Sequence, residues 1–85
     1  MKEFQYVIKD KDGIHARPAG DLVKLAKSYT SNITIHKDEK SGDCKKIFTV
    51  MALAAKCGDE ITLKFEGEDE EAACEAFKSF LNENL

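Results

Sequence analysis

One histidine in a short glycine-bounded motif has the clearest chemical potential in this chain. His15 lies in the string GIHARPA at residues 13–19, and a helical pattern of apolar residues begins directly after it. The first turn of a helix has backbone amides without intrahelical partners and the positive end of the helix dipole, so an anion is stabilised there. A neutral imidazole is the nucleophile that a phosphoryl donor needs. The motif therefore predicts a site at which His15 accepts and releases a phosphoryl group.

The neighbours of His15 set it apart from an isolated surface histidine, which usually carries no chemistry. Arg17 offers paired guanidinium donors that match phosphate oxygens, so we predict that it clamps the phosphoryl group. The backbone amides of Ala16 and Arg17 are predicted to bind the same group. Pro18 suits the first helical turn, where its missing N–H is not needed. We interpret Gly13 and Pro18 as positioning residues.

The elements that must position this motif follow from the spacing of apolar residues. Alternating apolar and polar residues predict strands, and apolar residues at helical spacing predict helices. The order is β-α-β-β-α-β-α. The predicted elements are a strand around residues 4–8, a helix from 16 to about 28, strands around 33–36 and 40–45, a short helix at 47–55 ended by Cys57-Gly58, a strand at 61–66, and a last helix that begins near 68–71.

The one-sided alternation of the strands predicts a sheet that is covered on one face only. Three amphipathic helices are available to cover that face, which predicts an α+β two-layer sandwich with an antiparallel sheet. The length of 85 residues indicates one domain, residues 1–85, with one modest core.

Composition excludes several classes of protein. The net charge of -3 gives no reason to expect nucleic-acid binding, and no apolar run is long enough for direct membrane insertion. The N-terminus lacks the apolar core of a signal peptide, so we expect a cytoplasmic location. Cys44, Cys57 and Cys74 are odd in number, widely spaced and without a CxxC pair, so we expect reduced thiols and no metal site.

The chain resembles a known family of proteins. The string at residues 13–19 is similar to the active-site signature of HPr, the histidine-containing phosphocarriers of the sugar phosphotransferase system. The resemblance extends to the length, the element order and the looser stretch KKIFTVMAL at residues 45–53. It implies an open-faced β-sandwich with a four-stranded antiparallel sheet and three helices on one face. It also implies a monomeric phosphocarrier that is not an enzyme and has no cofactor.

The resemblance implies a place in a phosphoryl relay. His15 would be phosphorylated at Nδ1 by phospho-Enzyme I, which takes its phosphoryl group from phosphoenolpyruvate. His15 would then donate the group to a sugar-specific IIA protein or domain. Arg17 would steady the phosphoryl group in transit.

A second surface is predicted around the short helix, because so short a helix cannot bury every face. Ile47, Phe48 and Met51 are predicted to form an exposed apolar patch ringed by lysines. The family presents such a surface to Enzyme I and IIA. The partner surface implied here comprises Gly20, Lys24, Lys27, Ile47, Phe48, Thr49, Met51 and Ala52, with Lys45 and Lys46 adding positive charge.

Two positions depart from the family pattern. Lys46 occupies the place of a serine that many members carry for regulation by HPr kinase, and a lysine has no hydroxyl to phosphorylate. Asp12 stands where the family often has a small neutral polar residue, and its carboxylate would repel phosphate and favour the imidazolium form of His15. The other histidine, His36, is predicted to be an exposed strand residue with no role.

Two other functions stay open. The first is an HPr-like regulatory phosphorelay module not dedicated to sugar uptake, which the identity of the Enzyme I that charges the protein would separate from a sugar-transport carrier. The second is a small phosphate-handling enzyme resembling acylphosphatase, which would turn over acyl phosphate without a phosphoprotein intermediate. The sequence contains no second catalytic constellation for such an enzyme.

Overall fold

The computed structural model describes all of residues 1–85, which form four strands and three helices. The predicted order of elements is confirmed. The elements are β1 (Lys2–Val7), α1 (Ala16–Lys27), β2 (Asn32–Lys37), β3 (Lys40–Asp43), α2 (Ile47–Met51), β4 (Glu60–Glu66) and α3 (Glu70–Asn84).

The four strands form one antiparallel sheet in the order β1-β4-β2-β3. Leu63 in the centre of β4 lies opposite Phe4 of β1 on one side and Ile35 of β2 on the other. Alternate residues of β2 and β4 are buried on the helix side, while their neighbours are partly exposed on the other side. The predicted α+β open-faced sandwich is therefore confirmed.

The core between sheet and helices is aliphatic with an aromatic pair near its centre. Phe65 of β4 and Phe77 of α3 are fully buried and meet edge to face, with ring centroids 5.2 Å apart. Leu22 and Ala26 of α1 are also fully buried. Burying one Phe or Leu side chain contributes about 1.5–3 kcal/mol, so these contacts hold α1 and α3 firmly on the sheet.

The second helix is shorter than predicted. It ends at Met51 instead of Ala55, because Ala54 adopts a left-handed backbone conformation with φ of 52°. Leu53 and Ala55 are buried, so the apolar run after Met51 reflects core packing of an irregular segment. Residues 57–58 lie in the turn before β4 and do not end the helix. The third strand is also shorter than predicted and stops at Asp43.

Lys37, at the end of β2, holds the irregular segment after α2. Its Nζ donates hydrogen bonds of 3.4 and 3.2 Å to the carbonyl oxygens of Leu53 and Ala54. The same Nζ lies 3.1 Å from a carboxylate oxygen of Asp59. Hydrogen bonds to the Lys56 backbone amide and to Lys37 lower the pKa of Asp59 below its ordinary value. The irregular segment after α2 is therefore tied to the sheet.

The start of α3 is tied to the loop after α1. Asp69 accepts hydrogen bonds from the backbone amides of Thr30 (2.8 Å) and Ser31 (2.9 Å) and from the Ser31 hydroxyl. These bonds, the Ser31 hydroxyl first among them, lower the pKa of Asp69 to about 2. A side chain at Gly67 would collide with Ser31, since a Cβ there would lie 2.6 Å from the Ser31 Cα.

The three cysteines are free thiols, as predicted, with Cys44 and Cys74 buried and Cys57 exposed. Burial raises the pKa of both buried thiols, which keeps them protonated and unreactive. None of the three helices has the length and apolar character that a membrane span requires.

Candidate functional site

His15 is the N-cap residue of α1, with an extended backbone (φ -107°, ψ -176°). Its side chain makes no capping hydrogen bond, and the ring is 47% exposed. Its carbonyl oxygen accepts a 3.0 Å hydrogen bond from the amide of Ala19. The backbone of His15 therefore starts the helix while the imidazole stays available, beside first-turn amides that have no intrahelical partners.

The loop before His15 is fixed by close backbone packing. Gly13 adopts φ of 66°, and a Cβ at this position would collide with the carbonyl oxygen of Ala55 and lie 2.7 Å from the Cα of Lys56. The next residue, Ile14, is buried and donates a 2.9 Å hydrogen bond from its amide to the same Ala55 carbonyl. Glycine is therefore required at position 13 both for its conformation and for its lack of a side chain.

His15 and Arg17 line one shallow surface depression, together with Pro18, Asp21 and Asn84. The structure therefore brings together the two residues that the sequence predicts to handle the phosphoryl group. Arg17 is exposed in the first turn of α1 and Asn84 reaches the depression from the end of α3. The depression is open to solvent, so a phosphoryl donor can approach the ring directly.

Two carboxylates flank the imidazole, and only that of Asp12 was predicted from the sequence. Oδ2 of Asp10 lies 3.9 Å from Nε2 of His15. Single ligand atoms of Asp10, Asp12 and His15 all lie within 4.8 Å of one another. The approach of Asp10 to His15 was not predicted, because no periodicity shows which loop carboxylate turns back toward the histidine. The one available signal in the sequence is the spacing Asp-x-x-Gly, which is typical of a turn.

The same three side chains are the ones that could hold a divalent cation. Two carboxylates and an imidazole suit zinc or a similar metal. However, the cluster lies at the positive end of the α1 dipole, and Arg17 lines the same depression as His15. The dipole and Arg17 favour an anion at the site, whereas the carboxylates of Asp10 and Asp12 favour a cation.

The predicted partner surface lies on α2 and the adjacent face of α1. Phe48 is 84% exposed and Met51 is 38% exposed, both large for apolar side chains. Ile47 is half-buried and approaches Gly20 of α1. Lys24 and Lys27 are exposed in the last turn of α1, Lys46 is the exposed N-cap of α2, and Ala52 is exposed beside Met51. Thr49 is half-buried, and its one hydroxyl proton is shared between the carbonyl oxygens of Asp43 and Lys46, each 2.7 Å from Oγ1.

His36 is half-buried on the sheet face opposite the helices, which corrects the prediction of an exposed side chain. Its Nε2 lies 2.9 Å from Oγ1 of Thr34, in hydrogen-bond contact. Burial, followed by the nearby charge of Lys64, lowers the pKa of His36, while Glu3 acts in the opposite direction. The predicted absence of a catalytic role is compatible with this position, since His36 is on a different face from α1.

Comparison with known proteins places this site in a family. A family model described as the phosphotransferase system HPr component phosphorylation site matches residues 2–83. The phosphocarrier protein HPr of Mycoplasma capricolum is 49% identical over 78 residues, which cover 92% of this chain and 88% of that protein. A solved structure of a Mycoplasma histidine-containing phosphocarrier protein superposes with a TM-score of 0.91 at 47% identity and covers 93% of this chain and 90% of that one.

A third relative has a different name and assembly. The crystal structure of Crh, a catabolite-repression protein of Bacillus subtilis, is 35% identical and superposes with a TM-score of 0.78, covering 100% of this chain and 98% of that one. That protein is described as a domain-swapped dimer. Taken together, the family match over residues 2–83, the relatives and the His15 geometry show that the chain belongs to the HPr family of phosphocarriers of the phosphotransferase system.

Proposed function

We propose that this chain accepts a phosphoryl group on His15 from phospho-Enzyme I, which is charged by phosphoenolpyruvate, and donates it to sugar-specific IIA proteins. The observation that carries the proposal is the position of the imidazole. His15 caps α1 with its backbone and leaves its ring without a capping hydrogen bond, in one depression with Arg17. HPr proteins are carriers, so the chain is a substrate of its partners and has no turnover of its own.

The chemistry follows from that position. The lone pair of the neutral imidazole Nδ1 attacks the phosphorus of the donor, a P–N bond forms on His15, and the bond from phosphorus to the donor breaks. The added negative charge enters the positive end of α1, where the amides of Ala16 and Arg17 can donate to phosphate oxygens. The Arg17 guanidinium adds charge-assisted hydrogen bonds. The resulting P–N bond stays reactive, so the group can move on.

The partner surface supports rapid exchange of partners. Phe48 and Met51 are exposed on α2, and the segment after α2 is joined to the residue before His15 by the hydrogen bond from Ile14 to Ala55. The lysines beside them give this surface a positive rim that suits acidic partners. Charge complementarity speeds encounter more than it tightens binding, which fits a carrier that must also dissociate quickly.

A reconstituted relay tests the proposal. Purified Enzyme I, phosphoenolpyruvate and a IIA protein are combined with this chain, and the mass of IIA is followed. IIA should gain a phosphoryl group only when the chain is present. The Phe48→Ala variant should transfer more slowly with unchanged stability, because the 84% exposed ring contributes little to the core. No transfer to any IIA protein would contradict the sugar-uptake function.

The likeness to Crh supports a second function, an HPr-like regulatory relay module not dedicated to sugar uptake. Both functions use the same site, so the partner decides between them. Phosphorylation by the Enzyme I of a sugar system, followed by transfer to a sugar-specific IIA protein, favours the sugar-uptake function. Phosphorylation by a different Enzyme I favours the regulatory function.

We also propose that the chain acts as a monomer in the cytoplasm. All six residues of β1 pair with β4 of the same chain, so this fold is complete without the exchange of β1 with a second copy. Light scattering on the eluting peak of a sizing column should give the mass of one chain, whereas a mass of two chains would indicate an assembly like that of Crh.

A further inference from the structure

We propose that Asp10 is a positioning residue that keeps a proton on Nε2 of His15 and thereby leaves the lone pair on Nδ1 for attack on phosphorus. The inference deepens the proposed function and rests on it. The observation behind it is the 3.9 Å approach of Asp10 Oδ2 to Nε2, the ring nitrogen that does not accept the phosphoryl group.

Asp10 is held in place at three of its polar groups. Its amide donates a 2.8 Å hydrogen bond to the carbonyl oxygen of Leu85, and its own carbonyl accepts a 3.0 Å bond from Gly13. Its Oδ2 accepts a 3.1 Å bond from the amide of Asp12. The side chain is 35% exposed. The carboxylate is therefore fixed by its own loop, and the orientation toward His15 does not depend on a mobile side chain.

A neutral imidazole carries one proton, so fixing it on one nitrogen defines the other as the nucleophile. A carboxylate near Nε2 favours the proton there through its charge at 3.9 Å. In metal sites and hydrolases a carboxylate selects the histidine tautomer in the same manner.

The same carboxylate keeps Nε2 protonated before the second transfer, so that the leaving group is imidazole and not imidazolate. Once Nδ1 carries the phosphoryl group, Asp10 stabilises the proton on Nε2 and the positive charge of the ring. When the P–N bond breaks, its electron pair returns to Nδ1 and the ring leaves as neutral imidazole with the proton still on Nε2. The phosphoryl group passes to the acceptor, and no proton has to move during either transfer.

The other charged groups around His15 do not offer this contact. Asp12 lies in the same loop, and Arg17 and Asp21 face the depression from α1; Asn84 of α3 is neutral. Asp12 is the natural comparison, because it carries the same group two residues away and is exposed. It donates its backbone amide to Asp10, so its main contact in the loop is through the main chain.

The test uses the full chain labelled with 15N at histidine. Long-range 1H–15N spectra at a pH where His15 is neutral report the tautomer directly. The unmodified chain should show mainly the Nε2–H form. Asp10→Asn should reduce the ratio of the two tautomers roughly twofold, because the ring nitrogens are only about 2 Å apart and the charge favours the nearer one by the difference between the two distances. The matched control Asp12→Asn should change the ratio less, because the carboxylate that lies 3.9 Å from a His15 ring nitrogen is that of Asp10. Asp10→Ser, which can still accept the Asp12 amide, replaces Asp10→Asn if that variant fails to fold.

An unchanged tautomer ratio in both Asp10 variants, or an equal change in Asp12→Asn, would overturn the proposal. The spectra need no partner protein, so this failure is separate from failure of the proposed function, which would appear as no phosphoryl gain from Enzyme I.

Discussion

The amide of Ile14 donates a 2.9 Å hydrogen bond to the carbonyl oxygen of Ala55, and this bond joins the residue before His15 to the segment after α2. Lys37 holds the same segment from the sheet through the carbonyls of Leu53 and Ala54. The phosphoryl site and the apolar surface on α2 therefore share one anchor. If the proposed function holds, a partner that docks on Phe48 would meet His15 at a fixed distance, which is what in-line transfer requires.

Gly13→Ala should destabilise the protein by about 2–3 kcal/mol, because alanine at a positive φ is strained and its Cβ collides with the backbone at Ala55 and Lys56. Gly58→Ala is the matched control, since Gly58 also has a positive φ (91°) but nothing lies within 4 Å of a Cβ there. That change should cost only about 1 kcal/mol. Urea unfolding measures both, and equal costs would contradict the packing argument.

Arg17→Ala should slow phosphoryl transfer while changing the free energy of unfolding by no more than about 0.5 kcal/mol, because Arg17 is exposed in the first turn of α1. Arg17→Lys should restore only part of the rate, since an ammonium lacks the paired donors of a guanidinium. The control Lys40→Ala removes an exposed cation from β3 and should transfer normally. Normal kinetics in Arg17→Ala would remove the clamp role.

HPr kinase and ATP should add no phosphate at Lys46, because a lysine offers no acceptor oxygen. Thr49 is the nearest hydroxyl on α2, and its one proton is shared between two backbone carbonyls that lie 2.7 Å from Oγ1, so the hydroxyl is already engaged. Peptide mapping after incubation with the kinase checks this. A phosphate on Thr49 or on the exposed Ser41 would show that regulation has moved to another residue.

Stability should fall in acid as Asp69 is protonated. Its pKa is lowered to about 2 in the folded protein, so the contribution of its bonds to Thr30 and Ser31 is present above the unfolded pKa near 4 and is lost as the pH falls toward 2. In Asp69→Asn the loss between these pH values should be smaller. Glu68→Gln, an exposed acid next to it, should behave as the unmodified chain. Urea unfolding at several pH values measures the free energy of unfolding of the three proteins.

The fold was largely predictable because apolar periodicity reports burial directly. Ile61, Leu63 and Phe65 alternate with polar residues, and these three are fully buried on the helix side of β4. The same logic failed after Met51, where an apolar run predicts a helix to Ala55. Leu53 and Ala55 are buried on either side of an exposed Ala54 in an irregular segment. The left-handed conformation of Ala54, which breaks the helix, has no signal in the sequence, since alanine favours helices.

The site was predictable as far as the motif reaches. His15 and Arg17 stand two residues apart at a helix start, so their proximity follows from local structure. The Asp10 contact was not predictable, because it depends on how the loop turns back over itself and on the anchoring of Asp10 by Leu85 at the far end of the chain. The role of Ala55 was missed for the same reason: its contact with Ile14 is made through the main chain and leaves no pattern in the side chains.

The central claim is that His15 is the phosphoacceptor, and intact-mass analysis after incubation with Enzyme I and phosphoenolpyruvate tests it most directly. The chain has two histidines, so His36→Ala is a matched control for His15→Ala. The unmodified chain and His36→Ala should each gain the mass of one phosphoryl group, and His15→Ala should gain none. Full phosphorylation of His15→Ala, or none of the unmodified chain, would contradict the account.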